Sequence, residues 1–97
     1  MPTYLVLGNF TDQGIRSVRD SLKREDAFRK QCEKAGAQVR DVYRTMGRYD
    51  MAAVVEAPDD IVVSALIYSI GALGNVRTET LRAFTRQETE QAVAKMM

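Results

Sequence analysis

Residues Gln38–Asp60 read QVRDVYRTMGRYDMAAVVEAPDD. Gln38 to Thr45 and Tyr49 to Ala57 alternate with period two and flank Gly47, which is the pattern of a β-hairpin. A three-residue loop at Met46 to Arg48, with Gly47 at positive φ, pairs Thr45 with Tyr49 and Arg44 with Asp50. Val42 then faces Ala52 and Arg40 faces Val54, while Val39, Tyr43, Met51 and Val55 form an apolar surface on the other side. A two-residue loop would mix Arg40 and Arg44 with Met51 and Val55, because a one-residue slip turns every side chain over. The sorting favours the longer loop.

Before the hairpin, Thr3 to Phe10 (TYLVLGNF) is rich in β-branched and aromatic residues and predicts a buried strand. Thr11 or Asp12 can N-cap a helix directly after it. Ile15, Val18 and Leu22, then Phe28, Cys32 and Ala35, recur at helical spacing, with Lys23-Arg24-Glu25-Asp26 between the two sets. A long helix that bends or changes its buried face is expected, ending at Gly36. The run KREDAFRK alternates in sign, as a solvated helix face does.

Beyond the hairpin, Pro58-Asp59-Asp60 puts proline and acids where a helix first turn favours them. Ile61 to Leu73 (IVVSALIYSIGAL) is apolar on nearly every side, so this helix should bury more than one face. Gly74-Asn75 reads as a turn, Val76 to Phe84 as a last strand, and Arg86 to Met97 as a terminal helix. The order β-α-β-β-α-β is that of a ferredoxin-like α+β fold: a four-stranded antiparallel sheet with two helices on one face, plus the C-terminal helix. Residues 1–97 form a single domain.

Composition narrows the chemistry. Net charge is +1 and histidine is absent. The charge gives no case for a nucleic-acid or membrane-surface partner. Without histidine, Ser-His-Asp and Cys-His nucleophiles, His-ligated haem and two-His-one-carboxylate iron have no ligands or bases. One cysteine, Cys32, cannot build a zinc site and suits a reducing cytoplasm. No metal or other cofactor is expected. No stretch is long and apolar enough for a membrane span, and MPTYLVLG has no basic flank of a signal peptide. Acid–base work falls to Asp, Glu, Tyr or Lys.

The sheet face without helices decides the assembly. If Leu5 and Leu7 face the helices, that face gathers Tyr4, Val6, Gly8 and Phe10 from the first strand. The hairpin adds Arg40, Val42, Arg44, Asp50, Ala52, Val54 and Glu56, and the last strand adds either its odd or its even residues. Such a part-apolar, part-ionic surface is too greasy for water. Two copies packed face to face would cover it and enclose a partly polar cavity, so the expected partner is the chain itself, as a homodimer or higher homo-oligomer.

Gly47-Arg48-Tyr49-Asp50 carries a G-x-Y-D signature, and the chain resembles the GYD-domain family throughout. Matching landmarks are Tyr4, Gly8-Asn9-Phe10-Thr11, Gly14, Ala35-Gly36, Tyr43, Pro58-Asp59 and Val76-Arg77-Thr78. The resemblance implies a ferredoxin-like subunit of the dimeric α/β barrel group. That wider group holds cofactor-free monooxygenases, haem-dependent enzymes and ligand sensors; the haem branch relies on a histidine that this chain lacks.

Three functions stand as expectations. The first is a dimeric protein of uncharacterised activity that binds a small organic ligand between its sheets, with Tyr4, Arg44, Arg77 and Glu79 as ligand-binding candidates. Tyr4 would serve as a hydrogen-bond donor, and Arg77 offers a planar fork to a carboxylate. The second is a cofactor-independent oxygenase or isomerase with Asp50 as general base and Tyr49 as donor. The third is a structural or regulatory homo-oligomer without ligand. Against the catalytic role stands a plainer one, in which Asp50 bonds across the hairpin and Tyr49 packs beside Thr45.

Overall fold

Thr3–Phe10 forms the first strand, β1, and it runs inside the sheet because it is apolar on both faces. A computed structural model describes residues 1–97. After β1 come α1 (Asp12–Arg16), α2 (Ser21–Lys34), β2 (Gln38–Arg44), β3 (Met51–Glu56), α3 (Asp60–Ala72), β4 (Val76–Ala83) and α4 (Arg86–Ala94). The strands lie in the order β2-β3-β1-β4, and every neighbouring pair is antiparallel. This is the ferredoxin-like α+β fold. The sheet is open, with β2 and β4 as edges, so one chain does not close a barrel.

The expected long helix is broken. Ser17, at φ −110° and ψ 28°, ends α1, and Val18–Asp20 makes a 3-10 turn before α2 begins. The Ser17 hydroxyl donates back to the carbonyl of Gln13 at 3.1 Å, the local bond by which serine competes with a helix ladder. The Ser17 carbonyl accepts from the Asp20 amide at 2.9 Å and from Arg24 Nη1 at 3.1 Å instead of continuing the ladder. Thr11 caps α1, Asp59 caps α3 by accepting from the Val62 amide, and Thr85 with Glu88 forms a capping box on α4.

The hairpin differs from expectation in a way that redirects side chains. Val39 pairs with Val55 as the sequence pattern requires, but a bulge at Arg40 comes next. Beyond it Asp41 pairs with Val54, Val42 with Ala53, Tyr43 with Ala52 and Arg44 with Met51, one residue off the expected register. One extra residue on one strand swaps the faces of every later position. Val42 and Arg44 therefore point to the helix side, and Tyr43 to the open side. Residues 45–50 form a wider loop, with Gly47 at φ +96° as foreseen. The Thr45 amide donates to the carbonyl of Asp50 at 2.8 Å.

β1 also faces the other way. Tyr4 and Val6 are buried under the helices, whereas Leu5 is 36% exposed on the open face. The core gathers Tyr4, Val6 and Val55 from the sheet, Cys32 from α2, and Val63 and Leu66 from α3. Full burial of a Val or Leu side chain contributes about 1.5–3 kcal/mol, so the pair on α3 anchors that helix. Only ten of 97 residues are buried, and none belongs to α4. Such a small core leaves much apolar surface unsatisfied: Ile61, Tyr68, Leu73 and Phe84 are all exposed.

Candidate functional site

The floor of a hollow is set by small side chains at the centre of the sheet. Gly8 and Ala53 lie beside Val6, Met51 and Thr78, and the helices above do not fill the space. Phe28 of α2, Ile70 of α3 and Leu73 just past the end of α3 form its walls. A Cβ on Gly8 would come within 3.0 Å of Met51 Cγ, so Gly8 lets Met51 lie across the floor. The hollow measures about 160 Å³ and is lined mostly by apolar groups. Among its lining, only Arg24, Glu25 and Arg44 are charged.

Glu25 organises that charged side. Its Oε1 accepts from Arg44 Nη1 at 2.7 Å and its Oε2 from Arg29 Nε at 3.2 Å. Burial alone would raise the Glu25 carboxyl, but the bonds from Arg44 and Arg29 outweigh it and hold the group below its ordinary value. Arg44 Nη2 also donates to the carbonyl and hydroxyl of Ser21, both at 3.1 Å. The expected Arg44–Asp50 pair does not form, because the bulge sends Arg44 to the helix side.

Asp50 is tied into the sheet. Its Oδ2 accepts the backbone amide of Phe10 at 2.9 Å, and its own amide donates to the carbonyl of Gly8 at 2.9 Å and to Asn9 Oδ1 at 3.2 Å. It thus extends the β1–β3 ladder by one rung and binds the signature Gly47–Asp50 to the segment Gly8–Thr11. That segment has a second partner: the Thr11 amide donates to Asn75 O and its hydroxyl to Gly74 O.

The remaining candidates separate onto two faces. Tyr49 Oη donates to Glu79 Oε2 at 2.6 Å, which raises the Tyr49 phenol, and Glu79 stands with Arg77 on the open face of β4. Tyr4 lies on the opposite face, contrary to expectation, because its hydroxyl reaches Asp60 Oδ1 at 2.5 Å in the first turn of α3. Burial, then that bond and the nearby Asp60 charge, push the Tyr4 phenol up to about 12. Of the six candidates, Arg44 alone lines the hollow.

The hollow therefore lies on the helix side, not on the open face where the sequence pattern placed a cavity. Arg24, Glu25, Phe28 and Met51 were not singled out as site residues. The signal was present in Arg24-Glu25, a charged pair interrupting the apolar stripe of the helix.

Residues 4–93 match the family model described as GYD domain. The chain is 33% identical over 84 residues to the "Glutamine synthetase and cystathionine beta-lyase binding protein" of Thermus thermophilus, covering 86% of this chain and 88% of that one. Among solved structures it resembles TTHA0845 from Thermus thermophilus, with a TM-score of 0.56, 30% identity, and 88% and 95% of the two chains covered. MtbAldR, with a TM-score of 0.69 and 17% identity, shares the fold; 88% of this chain matches 52% of that one, about half its length. FFRP-DM1, with a TM-score of 0.59 and 21% identity, also shares the fold, over 87% of this chain and 100% of that one. No helix is long and apolar enough to cross a membrane. With the family model spanning nearly its whole length, this chain belongs to the GYD domain family.

Proposed function

We propose that the chain is a small regulatory binding module that pairs with a second copy of itself and takes a small organic ligand into the hollow beneath α2 and α3. One observation carries the ligand reading: a hollow of about 160 Å³ at the centre of the sheet, apolar in its lining, with charge confined to Arg24, Glu25 and Arg44. Toluene tests it. Titrated against the methyl-labelled chain, toluene should shift the signals of Val6, Val42, Val76 and Met51 together. Shifts at exposed methyl groups only, or none, contradict the reading.

Self-pairing is supported by the open face. Leu5, Leu81 and Tyr43 are exposed there, and Leu7, Ala52 and Val54 only half-covered. Arg77 and Glu79 sit two residues apart on that face, so two-fold packing can set opposite charges against each other. Cys32, the single cysteine and buried, fits a reducing cytoplasm. The alternative with Asp50 as general base draws less support, because its Oδ2 already receives the Phe10 amide.

A second reading comes from the Thermus thermophilus relative, whose name states that it binds glutamine synthetase and cystathionine beta-lyase. This chain would likewise dock on a metabolic enzyme, with Ile61, Ala65 and Tyr68 along the outer side of α3 as a contact stripe. Sedimentation of the chain with purified glutamine synthetase from the same cell tests it. Co-migration that is lost in Tyr68→Asp supports docking, and independent migration overturns it.

A further inference from the structure

The lining of the hollow holds a cation with unused capacity. Arg24 Nη1 donates to the carbonyl and hydroxyl of Ser17 at 3.1 and 3.3 Å. Its Nη2 is buried and has no hydrogen-bond partner. None of the ion pairs in the chain includes Arg24. A buried charged donor without an acceptor is unfavourable, and such groups in folded proteins ordinarily have a partner.

The neighbouring acid does not supply one. Both oxygens of Glu25 already carry arginine bonds, to Arg44 and Arg29. Glu25 is also the only acidic residue in the lining, set against two guanidinium groups, so the hollow keeps a positive excess. The rest of the surface is hydrocarbon: Val6, Phe28, Met51 and Ile70 offer contact to an apolar body. Its volume of about 160 Å³ is comparable to the roughly 150 Å³ cavity that holds a benzene ring.

We infer that the hollow takes a small monocarboxylic acid with a ring-sized or branched apolar body, its carboxylate drawing the unpaired Nη2 of Arg24 round to meet it and its body lying over Met51 and Phe28. This rests on the reading of the hollow as a ligand site. A guanidinium suits the task because it stays charged and presents its N–H groups in the plane of a carboxylate. An α-ammonium group has no free carboxylate to meet in the lining, so a plain acid binds better than the corresponding amino acid.

Calorimetric titration of the full chain with phenylacetate, 2-phenylethanol and phenylglycine separates these claims. Phenylacetate should bind at least tenfold more tightly than 2-phenylethanol and more tightly than phenylglycine. The advantage over the alcohol should vanish in Arg24→Gln and persist in Arg86→Gln, an equal charge change at an exposed site on α4. Should Arg24→Gln fail to fold, the comparison of acid with alcohol on the unaltered chain still decides. Equal binding of acid and alcohol overturns the carboxylate inference and leaves the hollow as a ligand site. Equal binding of phenylglycine overturns the exclusion of the amine. Binding by none of the three, with toluene also silent, overturns the hollow and the inference together.

Discussion

The backbone amide of Phe10 donates to Asp50 Oδ2 at 2.9 Å, and the amide of Asp50 returns a bond of 2.9 Å to the carbonyl of Gly8. The two segments that carry the family resemblance, Gly8–Thr11 and Gly47–Asp50, thus hold each other. Removing the carboxylate leaves a part-buried N–H without its acceptor, a loss of about 1–3 kcal/mol. Asp50→Ala should lower unfolding stability by that amount in a denaturant titration, and Asp50→Asn, which keeps an acceptor oxygen, by less. Unchanged stability in Asp50→Ala would release the carboxylate from this structural role.

The Tyr4 hydroxyl fastens β1 to the first turn of α3, and its titration should be visible in stability. Its phenol is pushed up from an ordinary value near 10 to about 12 in the folded chain. A group raised on folding contributes fully below its unfolded value and loses that contribution as pH climbs through its folded value. Stability should therefore fall between about pH 10 and 12, by an amount on the order of 2–3 kcal/mol from this group. Tyr4→Phe should flatten that slope and cost about 1–2 kcal/mol at neutral pH through the lost bond to Asp60. An identical slope in Tyr4→Phe would assign the alkaline loss to another group.

Gly14 is required by close approach. A Cβ there would stand 1.9 Å from the carbonyl oxygen of Asn75, backbone that cannot swing aside. Gly14→Ala should push α1 off the Gly74-Asn75 turn, disturb the Thr11 bonds to both residues, and destabilise by about 1–3 kcal/mol or more. Melting temperature reads this directly, at roughly 4–8 °C per kcal/mol for a domain of this size. A melting point within a degree of the parent would show that the turn can move.

The sequence pattern made the element order legible because each element carries its own signal. Asp59 caps where an acid was read as a first turn, and Gly47 takes the positive φ that the hairpin needed. The faces were less legible. TYLVLGNF is apolar on both sides, so periodicity cannot choose between Leu5 with Leu7 and Tyr4 with Val6. The choice is made by a distant partner, Asp60, which receives the Tyr4 hydroxyl. The bulge at Arg40 leaves no mark in the alternation, yet it moves Val42 and Arg44 to the helix side. That shift sets Arg44 beside Glu25 rather than Asp50. The hollow escaped notice because its floor depends on which small residues meet across three strands.

The central claim is that a second copy covers the open face of the sheet, and sedimentation equilibrium tests it most directly. Leu5 sits on that face between Val54 and Leu81 and is 36% exposed in the single chain, so Leu5→Asp can be carried by a folded monomer. The parent chain should sediment at twice its 10.9 kDa mass or a higher multiple, and Leu5→Asp at 10.9 kDa with its circular dichroism unchanged. A parent chain that stays at 10.9 kDa at every concentration, or an assembly indifferent to Leu5→Asp, would contradict the account.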